Sequence, residues 1–256
     1  INLIRKKNSS TFQGLHNWMN KTNTTVPNDD SEEKDIIKQR GIAYGLVNMA
    51  NGILSGIALG GAIIFFYNYK VGLSERYMAI AWLIFGIWNA INDPLFGSIE
   101  ERYSRMKVIR YMAPLNTIFF IMMWYPWGDS QISLFFCYLI NLILFDSIFT
   151  IIGCITFSLP SELAIRQVDR SRILVYSVLI GSVGIVTANL LPMVLLTGDR
   201  STTLNPLLRP IMVTLAIIVM FILIIPTYYL YENEYAREEE NLGLWEGIKE
   251  CLKNKP

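Results

Sequence analysis

The sequence predicts an all-α membrane protein built on six transmembrane helices, and three observations predict it. Of 256 residues, 52% are hydrophobic and only 17% charged. The charges fall in short clusters between long apolar blocks, as expected of a chain whose main solvent is lipid. Six blocks reach the roughly 20 helical residues needed to cross ~30 Å of hydrocarbon: 42–67, 77–99, 108–127, 132–159, 173–196 and 207–231. None alternates with the period of two of a membrane barrel strand, so helices are the spanning element.

Taken in order, residues 1–40 are polar and rich in Asn, Thr and Ser. They lack an apolar core, which excludes a signal peptide, and read as a disordered cytoplasmic leader. "NSS", "NKT" and "NTT" there match the glycosylation pattern, but a cytoplasmic position argues against their use. The first span carries two stripes: a polar one of Tyr44, Asn48, Asn51 and Ser55, and a small one of Gly52, Gly56 and Gly60. Ser177, Gly181, Gly184 and Ala188 form a similar small stripe on the fifth. Such stripes are packing seams by default, and in a carrier they also let helices slide. The polar stripe suits either a solute path or interhelical hydrogen bonding.

The loops set the direction. Arg102, Arg105, Lys107 and Arg110 follow the second span, and Arg166, Arg170 and Arg172 follow the fourth. The other loops are poorer in Lys and Arg. The positive-inside rule then places both chain ends in the cytoplasm of a multi-pass protein of the cell membrane. Tyr125 and Trp127 suit the outer interface, and Tyr228, Tyr229 and Tyr231 the inner one. The bundle therefore covers 41–231. After it, 232–256 reads as an acidic stretch and then a short amphipathic helix with Leu244, Trp245, Ile248 and Leu252 on one face. That helix either links or regulates.

Several function classes drop out. A net charge of +1 suggests no nucleic-acid partner. Cys137, Cys154, Cys251 and His16 are too scattered for a disulfide framework or a metal site. No nucleophile–base pair lies in the spans, so no enzymatic activity and no organic cofactor are expected.

Polar groups inside the spans carry the functional signal, because an ionisable residue at mid-membrane costs about 2.5–3.5 kcal/mol by insertion scales. Two carboxylates qualify, Asp93 and Asp146. Asp93 lies about 9 Å from the inner end of its span, at ~1.5 Å per residue. Asn89, Asn92 and Asp93 share one helical face and offer a compact set of oxygens suited to a hard monovalent cation or a proton. Pro94 removes a backbone N–H and loosens the helix at Ala90. The bland alternative has the two amides joining helices while Asp93 pairs with a loop arginine. Asp146 sits nearer mid-membrane with Thr150 one turn below it. The pair either lines a cavity or is a neutral carboxyl bonded to a neighbouring helix.

"WNAINDPLFG", residues 88–97, resembles the W-D-A-I-N-D-P-hydrophobic-hydrophobic-G signature of the glycoside–pentoside–hexuronide:cation symporters, the melibiose-carrier group of the major facilitator superfamily. "YGLVNMANG" followed by "GLS", and "GLWEGIKECLKNKP", resemble that family's first span with its loop and its central cytoplasmic loop. The resemblance covers roughly residues 41–256. It implies the amino-terminal six-helix bundle of a twelve-helix carrier, whose second half would follow Pro256. Transport by these six helices alone is not expected.

The implied function is secondary active transport by alternating access, coupling Na⁺ or H⁺ to uptake of a small solute, with a sugar one possibility. The alternative is a non-transporting scaffold or receptor derived from the same fold. The implied partners are the bilayer, the solute and the carboxy-terminal half. By the family's motif, Asn89, Asn92, Asp93 and Thr150 serve the cation, Asn89 standing where the family has an acid. A site one charge poorer should hold Na⁺ more weakly, and Asp93 alone could carry a proton. Asn48, Asn51, Trp88 and Asp146 are the expected solute path. The family's charged sugar-binding positions fall here near Asn51 or Gly52, Gly153 and Ser177, so the solute need not be a galactoside. Arg102, Arg105 and Lys107 suit the superfamily's inner gate, pairing with a helix-end acid such as Glu162. A purely topogenic role for these basics is the alternative.

Overall fold

The structure, a computed structural model, describes residues 30–100, 105–164, 166–196 and 205–230; within these the side chains of 30–33, 93–95 and 97–100 are not described. Most of the expected leader, Arg102, and the acidic stretch with its amphipathic helix at 232–256 lie outside the described residues. The chain divides into two compact units. In the first, Ile1–Ile37, the described residues are helical; the second, Lys38–Pro256, holds the packed helices below.

Helix α1 spans Asp30–Ala58 and so begins inside the stretch expected to be a leader. Its opening "DSEE" places acids where the positive end of the helix dipole favours them. The first apolar block is also not one continuous helix. It leaves α1 at Leu59 and Gly60, resumes as α2 (Gly61–Phe65), and widens into a π-helical turn over Phe66–Val71. Two successive glycines, the weakest helix formers after proline, account for the interruption. Gly72, at φ 86°, then ends the turn with its N–H on the Tyr67 carbonyl. Helices α3 (Glu75–Glu100), α4 (Arg105–Met123), α5 (Gln131–Leu163), α6 (Gln167–Leu196) and α7 (Leu208–Ile224) follow, the last running into a 3₁₀ turn at Ile225–Tyr228.

Four helical stretches are long and apolar enough to cross a membrane by length and composition: Lys34–Val71, Gln131–Leu163, Gln167–Leu196 and Leu208–Tyr228. The expected spans at 77–99 and 108–127 are helical as α3 and α4. The shorter α4 carries Arg105, Lys107 and Arg110 in its first two turns.

Helix α5 is the axis of the packing. It lies against α3, α4 and α6, and α4 in turn lies against α7. Buried side chains therefore appear around most of its circumference, from Leu134 and Cys137 through Phe145 to Leu163. Helix α6 is the opposite case. Ile173, Ser177, Gly184 and Ala188 are buried in a narrow stripe, while Val175, Val178, Val183, Val186 and Val194 are exposed. An apolar exposed face of this kind suits lipid rather than water as its solvent.

Contacts at the helix ends show that successive helices alternate in direction. At one end Arg40 donates to the Leu163 carbonyl (2.9 Å) and Arg105 pairs with Glu162. There too Arg110 donates to the Thr227 hydroxyl (2.7 Å) and carbonyl (2.8 Å), with its guanidinium 3.8 Å above the Tyr228 ring. At the other end Gln131 accepts from the Ser74 amide (2.9 Å) and donates to the Gly72 carbonyl (2.7 Å), while Arg209 donates to the Trp124 carbonyl (3.0 Å).

The seam between α1 and α6 is built from small residues, but not the stripe expected on α1. A Cβ on Gly56 would meet Ala188 at 2.7 Å, and one on Gly45 would meet Ile180 at 2.9 Å. Gly52 has nothing within 4 Å, and Gly60 approaches only its own helix at Gly56. On α6, Gly184 lies so close that a Cβ would sit 2.8 Å from the Met49 carbonyl oxygen, whereas Gly181 has open space. A backbone atom cannot give way as a side-chain tip can. Gly184→Ala is therefore expected to lower stability by about 1–3 kcal/mol. Gly181→Ala should be neutral or gain up to about 1 kcal/mol from helix propensity. Thermal unfolding of the two variants in the same detergent checks the contrast.

Candidate functional site

Where α3 crosses α5, three polar side chains meet inside an otherwise apolar contact. Asn92 of α3 donates through Nδ2 to Asp146 Oδ2 (2.8 Å) and to Thr150 Oγ1 (3.1 Å), both on α5. Asn92 is fully buried, Asp146 is 2% exposed and Thr150 8%. Helical geometry makes the meeting possible. Residues 146 and 150 are i and i+4, so their side chains stack on one face of α5 and one amide group reaches both. The other half of that amide, Oδ1, is buried without a hydrogen-bond partner among the described residues. Each such orphan forfeits about 1–3 kcal/mol of desolvation.

The trio combines two sets expected to be separate, the cation ligands Asn92 and Thr150 and the solute-path carboxylate Asp146. Asn89, one turn before Asn92 on α3, is half-buried. Asp93 lies on the same helix, with a side chain outside the described set. Trp88 is half-buried with its indole Nε1 unpartnered among the described residues. On α1, Asn48 donates to the Ser177 hydroxyl of α6 (2.6 Å), and Asn51 is buried with an Oδ1 that has no partner among the described residues. The α1 stripe thus makes at least one interhelical hydrogen bond, the alternative left open for it.

At the basic end, Arg105 in the first turn of α4 reaches Glu162 in the last turn of α5. The Glu162 side chain is 7% exposed and that of Arg105 23%. Lys107 is exposed. Asp169, in the first turn of α6, is held by Arg166 just before the helix (3.0 Å) and by Arg172 three residues on (3.4 Å). Sequence reasoning missed the Arg40 cap on α5 and the grip of Arg110 on Thr227. Neither has a local signal, because both join residues more than a hundred positions apart.

The chemistry available is that of one carboxylate, one amide and one hydroxyl in a dry setting. Among the described residues no three His, Cys, Asp or Glu side chains converge as transition-metal ligands would. Oxygen donors of this kind suit hard cations.

Two proteins similar to this chain are both called Transmembrane protein 180. The one from Mus musculus is 22% identical over 165 residues, covering 56% of this chain and 30% of its own length. The one from Gallus gallus is 23% identical over 164 residues, covering 56% and 31%. This chain thus spans less than a third of the relatives it matches. The family described as MFS/sugar transport protein matches much more of it, residues 41–256, from the twelfth residue of α1 through every helix of the packed unit. With that match added to apolar helices, a buried carboxylate at a helix crossing and helix ends that alternate, the chain belongs to the MFS/sugar transport protein family.

Proposed function

We propose that the chain forms the amino-terminal six-helix bundle of a secondary active transporter that couples Na⁺ or H⁺ to uptake of a small solute by alternating access. The observation that carries this reading is the buried Asn92–Asp146–Thr150 cluster. Helices whose only task is to pack have little use for a carboxylate in such a setting, given its cost. Asn89, Asn92, Asp93 and Thr150 would hold the coupling ion, and the orphaned Asn92 Oδ1 is an oxygen that a cation would satisfy. Asn48, Asn51, Trp88 and Asp146 would border the solute path. The end that gathers Arg40, Arg105 and Arg110 would face the cytoplasm by the positive-inside rule, taking both chain ends with it. A carboxy-terminal bundle would supply the other wall of the path.

The whole protein in proteoliposomes tests this with a panel of labelled mono- and disaccharides and other small solutes. An inward Na⁺ or H⁺ gradient is expected to drive saturable uptake of one of them. Asp93→Asn should slow that uptake at least about tenfold, the loss of about 1.4 kcal/mol of coupling. Solute binding without gradient-driven flux would assign a receptor or scaffold instead.

A further inference from the structure

Lys107, expected at the inner gate, is exposed and forms no ion pair among the described residues. One turn further along α4, Arg110 is half-buried, and its contacts run through Nε, Nη2 and the face of the guanidinium to Thr227 and Tyr228. None of these is with an acid. Helices α4 and α7 and the 3₁₀ turn after α7 contain no Asp or Glu. Glu162, the acid of α5 at this end, pairs with Arg105. Two cations thus stand three residues apart on α4, neighbours on its surface, with no acid of α4 or α7 to neutralise them.

Their surroundings are those of a lipid headgroup. Tyr111, one turn beyond Lys107 on the same face of α4, is exposed, and so are Tyr228 and Tyr229 at the end of α7. Phenol rings suit the headgroup level of a bilayer, with the apolar body inward and the hydroxyl in water. Lys107 also lies in the first turn of α4, where the free amides of the helix add positive potential.

We propose that Lys107 and Arg110, shelved by Tyr111, Tyr228 and Tyr229, hold the phosphate of an anionic phospholipid of the cytoplasmic leaflet at the edge of the bundle where α4 meets the end of α7. The phosphate oxygens would accept from Lys107 Nζ and from the guanidinium N–H groups that Thr227 leaves unused. Arg110 already ties α4 to α7 through Thr227, so the bound lipid steadies that tie. The choice of leaflet rests on the orientation proposed above.

Titration of the purified whole protein with dioctanoyl phosphatidylglycerol, in a neutral detergent at low salt, tests the site through the melting midpoint. Dioctanoyl phosphatidylcholine and inorganic phosphate serve as the zwitterionic lipid and the lipid-free anion. At a tenfold excess over Kd, phosphatidylglycerol should raise the midpoint by about 2–4 °C, and the other two should leave it in place. Lys107→Gln should weaken the titration about fivefold, the share of one basic residue beside an anionic lipid surface. Lys107→Arg, and Lys38→Gln at an exposed position of α1, should leave it unchanged. Arg110→Gln should weaken it as well, and Lys107 carries the test if that variant does not fold. The protein is already inserted, so a lysine whose only task was to orient the chain would not move the titration. No weakening by Lys107→Gln, or equal weakening by Lys38→Gln, overturns the assignment. So does an equal rise with phosphatidylcholine, which would mean generic solvation by lipid, or with inorganic phosphate, which would mean a soluble anion. A wild type indifferent to phosphatidylglycerol also overturns it and leaves the acids of 232–240 as the counter-charge. Neither orientation nor transport enters the readout, so failure here leaves the carrier reading standing.

Discussion

Asn92→Ala is expected to destabilise the protein by about 3–5 kcal/mol, and most of that loss should vanish when Asp146 is already asparagine. The size separates two states of the same cluster. A neutral hydrogen bond between membrane helices contributes about 0.6 kcal/mol on average and at most about 1.7. Removing a donor from a buried, ionised carboxylate is costlier, because the charge loses part of its compensation in an apolar contact. Asn92 supplies a donor to Asp146 and another to Thr150 within 3.1 Å. The double-mutant cycle of Asn92→Ala with Asp146→Asn should therefore give a coupling of about 2–4 kcal/mol, as expected for hydrogen bonds to a charged group plus the desolvation of what they leave behind. Equilibrium unfolding of the four proteins in one detergent measures it. A coupling below about 1 kcal/mol would identify a neutral carboxyl that merely joins helices.

That cycle could not have been designed from the sequence. Helical spacing puts Asn92 beside Asn89 and Asp93, and Asp146 beside Thr150, because i, i+3 and i+4 neighbours follow from the helix itself. It does not say that the two faces meet, since their contact joins residues 54 apart. Helix existence was legible for a simpler reason: apolar blocks of spanning length leave the backbone little choice in lipid. The first block shows the limit. Its composition is apolar on both sides of Gly60, so nothing but the glycine pair marks where α1 stops and α2 begins. The seam on α1 was displaced for a related reason. Packing faces and lipid faces are both apolar, so Gly52 and Gly56 look alike in sequence although only Gly56 meets α6.

The second large effect concerns Arg105 and Glu162, and it should be lopsided. Glu162 sits in the last turn of α5, where the partial negative charge of the helix end disfavours a carboxylate and favours a cation. Arg105→Gln would leave a side chain only 7% exposed with an unpaired charge in that unfavourable field. The expected cost is about 2–4 kcal/mol, below the full buried-pair figure because the site borders water. Glu162→Gln would leave Arg105, 23% exposed, facing carbonyls that welcome it, at under about 1 kcal/mol. The double variant should recover most of what Arg105→Gln loses. Unfolding of the three variants, repeated at low and high salt, orders them. A neutral Arg105→Gln would mean that this arginine serves only to orient the chain in the membrane, and equal costs would mean that the helix end contributes nothing. The lopsided order is what a latch needs: an acid that stays put only while its arginine is docked makes undocking of α4 from α5 costly, and whatever draws Arg105 away frees that end of the bundle to move.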